Sequence, residues 1–401
     1  MQPAGDAGAT VIVVSRHRPR ELARCLAALT RQTHPRLELV LVADRDSLSI
    51  MPELPVKRAL CDVANISIAR NAGLALASGE VVLFIDDDAL AEPGWVAALT
   101  APFAEDRVHS ATGFTRGPDG LAWQVRAERI TPGGFSYEIE VPGLRLLGPE
   151  EGAPVSTLGT NCAFRRSALV EIGGFDPAFA YHLDESDVNM RLAKRFPAGL
   201  TAVVPQAEVI HGLAPGVSRA AVGVPHDLAA IGRSTALFAS RHGGNLDWLR
   251  EEQRRRLLRH MVAGRLDPMR VGPLLATLEA GIAEAEAMGA PALPQWDHPA
   301  PPPFQQLPTE PPKAVFLSGW HWNARKLRKK ARDAVAQGNL VTVLLLTPTF
   351  LPHRLILREG GWWEQYGGLW GASRPGDYAV ILMRRSARIA REWGFFAALR
   401  Q

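Results

Sequence analysis

Residues 81–88 read VVLFIDDD, so that five apolar residues run directly into three carboxylates. The apolar run is too short for a typical helix, and its continuity is typical of a strand buried on both faces. Adjacent carboxylates repel one another and cannot be buried unpaired. Because ligands bind at the carboxyl ends of strands in open α/β sheets, the cluster predicts a site for a hard divalent cation such as Mg²⁺ or Mn²⁺. In the alternative interpretation, Asp88 or a neighbour caps a helix over residues 92–104 and the other carboxylates are solvated.

The segments before this stretch alternate between strand and helix patterns. Residues 10–14 and 37–42 are strand-like, and residues 68–77 carry a helical pattern. This alternation predicts a mostly parallel sheet flanked by helices, with right-handed crossovers. The three predicted strands all end in polar residues, so we expect three loops to meet at one edge of the sheet.

The composition is that of an ordinary globular protein with ample material for a core, at 47% apolar and 21% charged residues. Three widely spaced cysteines predict neither a disulfide framework nor a zinc site. The first ten residues lack the features of a signal peptide, and the longest apolar runs are far shorter than the roughly 20 residues of a membrane span. We therefore expect a cytoplasmic protein that is not inserted in a membrane.

The composition and the pattern of apolar residues change three times along the 401-residue chain, which predicts four segments. Residues 1–243 are expected to form the α/β domain and residues 244–290 a helical extension. Residues 291–312 contain nine prolines and are expected to form a stiff, extended linker rather than a packed element. Residues 313–401 are expected to form a small, basic, Trp-rich α/β module.

Within this last module the pattern predicts a βαβ unit over residues 314–317, 323–337 and 340–346, then a strand at 378–383 and a helix at 386–399. The module has 15 Lys and Arg against 5 Asp and Glu, whereas the rest of the chain is mildly acidic. Such asymmetry indicates that the module meets an anionic partner, or that it has a solvated basic face.

Four stretches, in this order, resemble family 2 glycosyltransferases: residues 11–22, 71–88, 161–176 and 184–192. The resemblance covers about the first 215 residues. It implies a GT-A type, Rossmann-like mixed sheet, mostly parallel and flanked by helices. The activity it implies is transfer of a sugar, with inversion, from a nucleotide-diphosphate donor to an acceptor hydroxyl.

The resemblance assigns the aspartate cluster to a divalent metal on the donor diphosphate, with Asp86 and Asp88 as ligands. Such a clamp is needed because breaking the bond to the diphosphate leaves negative charge on a phosphate oxygen. Asp88 is expected to be the main ligand, with Asp86 assisting, and Asp87 to contact the ribose or the sugar instead. His211 resembles a late histidine near the metal in several relatives, and a structural role is the alternative.

Donor recognition is expected from the loops after the first two strands and from the helix before the metal cluster. The residues are Ser15, Arg18, Asp44 and Arg70. In similar enzymes such positions hold the base and ribose, and an aspartate accepts a uracil N–H, so a UDP-sugar is the predicted donor. This chain has Ala43-Asp44 where the family often has two consecutive acids.

The segment Asp184-Glu185-Ser186-Asp187 matches the family's acidic motif at the start of a helix. The acceptor hydroxyl must lose its proton as it attacks, which requires a positioned carboxylate. By register we expect Glu185 to be the general base, with Asp184 as the next candidate. Asp187 is expected to orient the helix or to pair with Arg191. Ser186 or Asp184 is predicted to cap the helix. The alternative to a catalytic role for this motif is an acidic helix start that only offsets the helix dipole.

These features predict synthesis of a surface polysaccharide or glycolipid, with a nucleotide-sugar donor and a glycan or lipid-linked acceptor. Tryptophans beside basic residues in the C-terminal module indicate peripheral contact with the inner face of the membrane, or simply the module's own core. No nucleic-acid motif is present.

A sugar nucleotidyltransferase would need a Gly-rich loop after the first strand, and residues 15–20 contain no glycine. A non-catalytic nucleotide- or glycan-binding scaffold is the other alternative, and the intact acidic motifs argue against it.

Overall fold

The computed structural model describes residues 7–212, 224–289, 291–293, 300–308 and 313–400. In the first part of the chain the strands are β1 (Ala9–Ser15), β2 (Leu37–Ala43), β3 (Lys57–Leu60), β4 (Val81–Asp86), β5 (Ala89–Ala91), β6 (Val108–Arg116), β7 (Trp123–Val125), β8 (Glu128–Ile130), β9 (Ser136–Glu138), β10 (Arg145–Leu147), β11 (Val155–Ser156), β12 (Cys162–Arg165) and β13 (Leu200–His211). The helices of this part are α1 (Pro19–Leu29), α2 (Arg45–Leu48), α3 (Ile66–Leu76), α4 (Trp95–Thr100), α5 (Arg166–Glu171) and α6 (Asp184–Arg195).

The main sheet has the strand order β10-β13-β6-β12-β4-β1-β2-β3. Strand β1 runs parallel to both β2 and β4, and β6 runs parallel to β13. Strand β12 is antiparallel to its neighbours β4 and β6. The short strand β5 adds to β13, and β8, β9 and β11 form a separate small sheet. The predicted fold class, a mixed and mostly parallel sheet flanked by helices, is confirmed.

Strand β4, which opens the sequence analysis, lies in the middle of this sheet. Its residues Val81, Leu83 and Ile85 pack into one apolar cluster, whereas Val82 and Phe84 pack into the cluster on the opposite face. Both faces are covered by helices, which is why the strand is apolar without alternation. The capping interpretation of the aspartates is wrong, because the next helix, α4, begins at Trp95 with Gly94 as its N-cap.

Helix α6 begins differently from the prediction. Its N-cap is Leu183, in the left-handed conformation with φ 64°, and no side chain caps the helix. Asp184 and Ser186 are already inside the first turn, so the prediction that one of them caps the helix is wrong. The carboxylate of Asp184 is hydrogen-bonded by Arg70 instead.

The helices after the main sheet, here called the helical extension, are α7 (Ala229–His242), α8 (Asp247–Val262) and α9 (Val271–Met288); of these, α7 lies within the segment 1–243, which the sequence predicts to be the α/β domain. Helices α7 and α9 approach closely at Gly232 and Gly281, where an added Cβ would collide with the backbone of the facing helix. Asp267 accepts the Met269 N–H and so caps the short turn just before α9. Among the described residues, no helix combines the length and the apolar character that crossing a bilayer requires.

Of the described residues of the Pro-rich segment, 291–293 and 300–308, the second stretch packs on the main domain. Leu307 is buried in the core, and its N–H donates to the Leu37 carbonyl over 2.7 Å. The Gln305 N–H donates to Glu38 Oε1 over 2.8 Å. The prediction of an unpacked linker is therefore wrong for these residues, because an apolar side chain and backbone donors find partners beside β2. The four segment boundaries remain predictions.

The C-terminal module contains β14 (Ala314–Trp320), α10 (Ala324–Ala336), β15 (Leu340–Thr347), β16 (Arg354–Leu357), β17 (Trp363–Gly368) and α11 (Arg385–Arg400). Its sheet has the order β14-β15-β17-β16, with the first three strands parallel and β16 antiparallel. The predicted βαβ unit is present. The strand predicted at residues 378–383 is absent: only Val380 forms an isolated bridge, with Gly371.

The last helix of the module ends on the main domain. Phe396 packs with Leu121 and Ile210 in one apolar cluster. Arg400 donates to both carboxylate oxygens of Glu92, over 2.8 and 2.7 Å, and both residues are buried. Glu92 directly follows β5, so this ion pair joins the C-terminal helix to the strand that comes after the aspartate cluster.

The burial of this ion pair predicts a large loss of stability when the arginine is removed. Arg400→Met leaves the Glu92 carboxylate buried without its cation, so we expect the free energy of unfolding to fall by about 3–5 kcal/mol, measured by urea denaturation. Arg250→Met is the matched control, because Arg250 makes the same two-bond contact with Glu279 at an exposed position. It should cost less than about 1 kcal/mol. Equal losses in the two variants would contradict the prediction.

Candidate active site

The carboxyl ends of parallel strands meet at one edge of the main sheet. Strand β1 ends at Ser15, paired with Ala43 at the end of β2, and β4 ends at Asp86, paired with Val14. The three polar loops predicted from the sequence therefore converge, as ligand sites in open α/β sheets require.

Asp87 is held by the loop that follows β1. Ser15 Oγ donates to Asp87 Oδ2 over 2.8 Å, and Arg18 Nη1 donates to Asp87 Oδ1 over 3.2 Å. Arg18 Nη1 is also 3.8 Å from Asp88 Oδ2. Burial raises the pKa of Asp87 to about 6, the charges of Asp88 and Asp86 add to the rise, and Arg18 and Ser15 oppose it. The cluster thus needs cationic partners, and Arg18 is one of them.

Asp86, Asp88 and His211 form a group in which one possible ligand atom from each lies within 4.8 Å of the others. His211 Nε2 is 3.3 Å from Asp88 Oδ1 and 3.9 Å from Asp86 Oδ2. Strand pairing produces this arrangement, because His211 at the end of β13 stands opposite Ala89, the residue after Asp88. Two carboxylates and one imidazole fit a divalent transition metal such as Mn²⁺ better than Mg²⁺, which prefers oxygen ligands alone.

Arg70, on α3, lies between the aspartate cluster and the acidic motif of α6. Its guanidinium donates to Asp184, lies 3.5 Å from Glu185 Oε2 and 3.8 Å from Asp86 Oδ1, and is buried. The guanidinium carbon is 5.6 Å from the ring centre of Phe84 and 5.3 Å from that of Phe175. Arg70, predicted as a donor-binding residue, is thus placed where it bridges two groups of carboxylates.

Gly159 completes the enclosure of this guanidinium. A Cβ at position 159 would collide with Arg70 Nη2, so only glycine leaves room for the side chain. The sequence analysis did not single out Gly159, because a lone glycine before a strand has many ordinary explanations.

Asp184 and Glu185 are adjacent carboxylates with different environments. Asp184 is buried against Arg70, whereas 19% of the Glu185 side chain is exposed. Burial raises the pKa of Asp184 well above its ordinary value, Glu185 raises it further through its charge and a hydrogen bond, and Arg70 opposes the rise. Glu185 is therefore the carboxylate of this pair that a substrate can reach.

Asp187 points away from this pair and is fully buried. It accepts from Arg191 Nε over 2.7 Å, lies 3.0 Å from His242 Nε2, and lies 3.3 Å from Arg241 Nη1. Burial alone would raise its pKa, but His242, Arg191 and Arg241 lower it. The pairing with Arg191 agrees with the sequence analysis, which missed Arg241 and His242 because they lie on α7 in the helical extension. Asp187 thus joins α6 to α7, and its predicted catalytic role remains a prediction.

Asp44 uses both carboxylate oxygens to hold its own loop. It accepts from the backbone N–H of His17 over 2.8 Å and from Ser47 Oγ over 2.6 Å, and it caps α2 through the N–H groups of Asp46 and Ser47. Burial on its own raises the pKa of Asp44, but the hydrogen bonds from Ser47, His17 and Asp46 outweigh it and lower the pKa to about 2. Its predicted contact with a donor base remains a prediction.

The lowered pKa of Asp44 predicts a contribution to stability that depends on pH. With a pKa of about 2 in the fold against 3.8 ordinarily, ionised Asp44 stabilises the fold above about pH 4, and this contribution is lost as the pH falls through 2. We expect Asp44→Asn to lower the free energy of unfolding by about 2 kcal/mol near neutral pH and by progressively less toward pH 3, measured in urea. The exposed neighbour Asp46, changed to Asn, should show no such trend. A difference that stays constant with pH would contradict this account.

Residues 10–173 match the sequence model of glycosyl transferase family 2. The chain is 29% identical over 177 residues to a glucosyl-dolichyl phosphate glucuronosyltransferase of Haloferax volcanii, covering 41% of this chain and 54% of that protein. It is 40% identical over 101 residues to an N-acetylglucosaminyl-diphospho-decaprenol L-rhamnosyltransferase of Mycobacterium tuberculosis, covering 24% of this chain and 31% of that protein.

A solved mannosyltransferase from Pyrobaculum calidifontis, in complex with GDP-Man and Mn²⁺, aligns with 71% of this chain and 76% of its own. The TM-score is 0.40 at 19% identity. The chain spans about half or less of the two curated relatives named above. The matched segment contains β1, β4 and the aspartate cluster. Residues 10–173 of this chain therefore resemble the family 2 glycosyltransferases.

Proposed function

We propose that this chain transfers a sugar from a nucleoside-diphosphate donor to an acceptor hydroxyl, with metal dependence and with inversion at the anomeric carbon. The observation that carries the proposal is the position of Arg70, which contacts Asp86 on one side and Asp184 and Glu185 on the other. The guanidinium of Arg70 therefore has the group suited to hold a metal on one side and the accessible carboxylate of Glu185 on the other. The match of residues 10–173 to the family model supports the reaction class.

On the donor side, Asp86, Asp88 and His211 would hold a divalent ion. When bound, such an ion supplies positive charge to the departing diphosphate. Ser15 and Arg18 fix Asp87 against the loop after β1, which leaves this loop in place to receive the nucleotide. The proposed donor is a UDP-sugar, with Asp44 shaping the same loop from the end of β2.

On the acceptor side, Glu185 would take the proton of the attacking hydroxyl. Attack from the face opposite the leaving diphosphate inverts the configuration of the anomeric carbon. Asp184, anchored on Arg70, keeps the start of α6 in place, and the more exposed Glu185 is left to act as the base. Asp187 acts as a positioning residue, because it ties α6 to Arg241 and His242.

For the acceptor we propose a lipid-linked precursor or a glycan of a surface polysaccharide or glycolipid. The names of two relatives, which refer to dolichyl phosphate and diphospho-decaprenol, support a lipid-linked acceptor. The proposed location is the cytoplasmic face of the membrane, with residues 313–401 in peripheral contact.

Removing the carboxylate of Glu185 tests its role as base. Glu185→Gln keeps the shape of the side chain but cannot accept the proton, so we expect the transfer rate to fall by roughly 10²–10⁴-fold. Binding of the nucleotide sugar, measured by calorimetry, should be retained. The exposed Glu80, changed to Gln, serves as the control and should transfer normally. Full transfer activity in the Glu185→Gln variant would show that another residue is the base.

Direct binding of Mn²⁺, measured by electron paramagnetic resonance, tests the group formed by Asp86, Asp88 and His211. Because they remove ligands, Asp88→Asn and His211→Gln are each expected to weaken binding by about a hundredfold. His260→Gln, outside the site, should bind as the native chain does. Transfer should stop when the metal is chelated and return with added Mn²⁺. Undiminished Mn²⁺ binding in both ligand variants would exclude this group as the metal site. Metal-dependent binding of a nucleotide, without turnover of any donor, would favour a non-catalytic scaffold.

A further inference from the structure

The carboxyl edge of the second sheet exposes large apolar side chains. We name this surface the aromatic edge. Its members and their exposed fractions are Trp322 60%, Phe350 53%, Leu351 49%, Tyr378 86% and Leu382 80%. They follow β14 and β15 or lie in the segment between β17 and α11. So many exposed large apolar residues in one small module indicate an interaction surface.

Contacts beneath these residues show that they share one edge of the module. The rings of Trp322 and Trp320 stack at 5.1 Å, and those of Phe350 and Trp370 lie 5.4 Å apart. Trp320 and Trp370 both pack against the apolar cluster of β15. The Ile381 N–H donates to the Trp370 carbonyl over 2.8 Å, which fixes the segment that carries Tyr378 and Leu382.

Positive charge accompanies the aromatic edge. Arg325 and Lys326 begin α10, three and four residues after Trp322, and Arg384 follows Leu382 by two residues; all three side chains are exposed. Within the described residues, none of the three forms an ion pair, whereas three of the module's five acids, Glu364, Asp377 and Glu392, are paired with arginines of the module. The Arg385 guanidinium lies over Trp320 at 5.4 Å. The edge therefore combines apolar side chains with uncompensated positive charge.

We propose that the aromatic edge docks on the surface of an anionic lipid bilayer. Tryptophan and tyrosine rings favour the level of the headgroups, and apolar side chains such as Leu382 and Phe350 enter the boundary of the acyl chains. Each lysine or arginine near an anionic surface contributes about 1 kcal/mol. An anionic bilayer explains both the apolar and the basic residues. A protein partner would explain the apolar residues, but it would also need an acidic surface to explain the basic ones.

The purpose of this docking rests on the proposed function, because it would bring the active site to a lipid-linked acceptor. The docking itself does not require catalysis. It is a property of the C-terminal module, whose elements contribute no residue to the candidate active site.

The test is sedimentation of the full chain with vesicles, without donor or metal. We expect binding to vesicles of phosphatidylcholine mixed with phosphatidylglycerol, weaker binding to phosphatidylcholine alone, and loss of binding as salt is raised. The double variants Trp322→Ala/Leu382→Ala and Arg325→Glu/Lys326→Glu should each bind about tenfold or more weakly. All four positions are exposed, so the variants are expected to fold, and melting curves check this.

Two matched controls use surface residues of the helical extension. Val262→Ala/Met269→Ala removes side chains that are each 82% exposed, and Arg254→Glu/Arg270→Glu reverses two exposed charges. Both controls should bind vesicles as the native chain does. Absence of native binding to anionic vesicles, or equal losses in the controls, would overturn the proposal.

A second copy of the chain is the competing occupant, and sedimentation velocity without lipid distinguishes it. Self-association that the aromatic-edge variants abolish, together with unchanged vesicle binding, would replace the bilayer by a dimer contact. Hydrolysis of soluble nucleotide sugar should be the same in all these variants. Vesicle binding without any turnover would reject the proposed function alone, and turnover without vesicle binding would reject the docking alone.

Discussion

The charge of Arg70 is the constraint on which the site depends. Three carboxylates, from the end of β4 and the start of α6, lie around this one buried guanidinium. Without a cation there, like charges in a buried position would force apart the elements that carry them. The side chain has little freedom, since it packs between Phe84 and Phe175 and against Gly159. A single residue of α3 therefore sets the distance between Asp86 and Glu185, the proposed metal ligand and the proposed base.

A second buried arginine supports the other end of the metal group. Asp88 and His211 meet because β5 pairs with β13, and β5 is a strand of only three residues. Glu92, at the end of this strand, is fixed by Arg400 from the last helix of the chain, and Arg400 also donates to Thr342 Oγ1 of the second sheet. The C-terminal module is thus part of the framework of the site, although its elements contribute no ligand to it.

The sequence could predict those features that depend on residues close together in the chain. The buried strand β4, the loops after β1 and β2, and the acidic start of α6 follow from apolar runs and from polar residues at their ends, and the main sheet brings them together. The role of Arg70 as a bridge could not be predicted, because it depends on how α3 and α6 pack. The hydrogen bonds that fill both oxygens of Asp44 depend in the same way on the turn of its own loop and on His17, whose φ is 58°. The contact of Glu92 with Arg400 joins positions 308 residues apart.

The wrong strand at residues 378–383 shows where local pattern fails. Residues 378–383 read YAVILM, an unbroken apolar run of the length of a buried strand. In the structure Tyr378, Val380 and Leu382 are exposed, and Ile381 and Met383 bond to Trp370 beneath them. An apolar run does not by itself state whether its side chains meet a core, water or a lipid surface. The same residues that misled the prediction of secondary structure are therefore the ones that identify the aromatic edge.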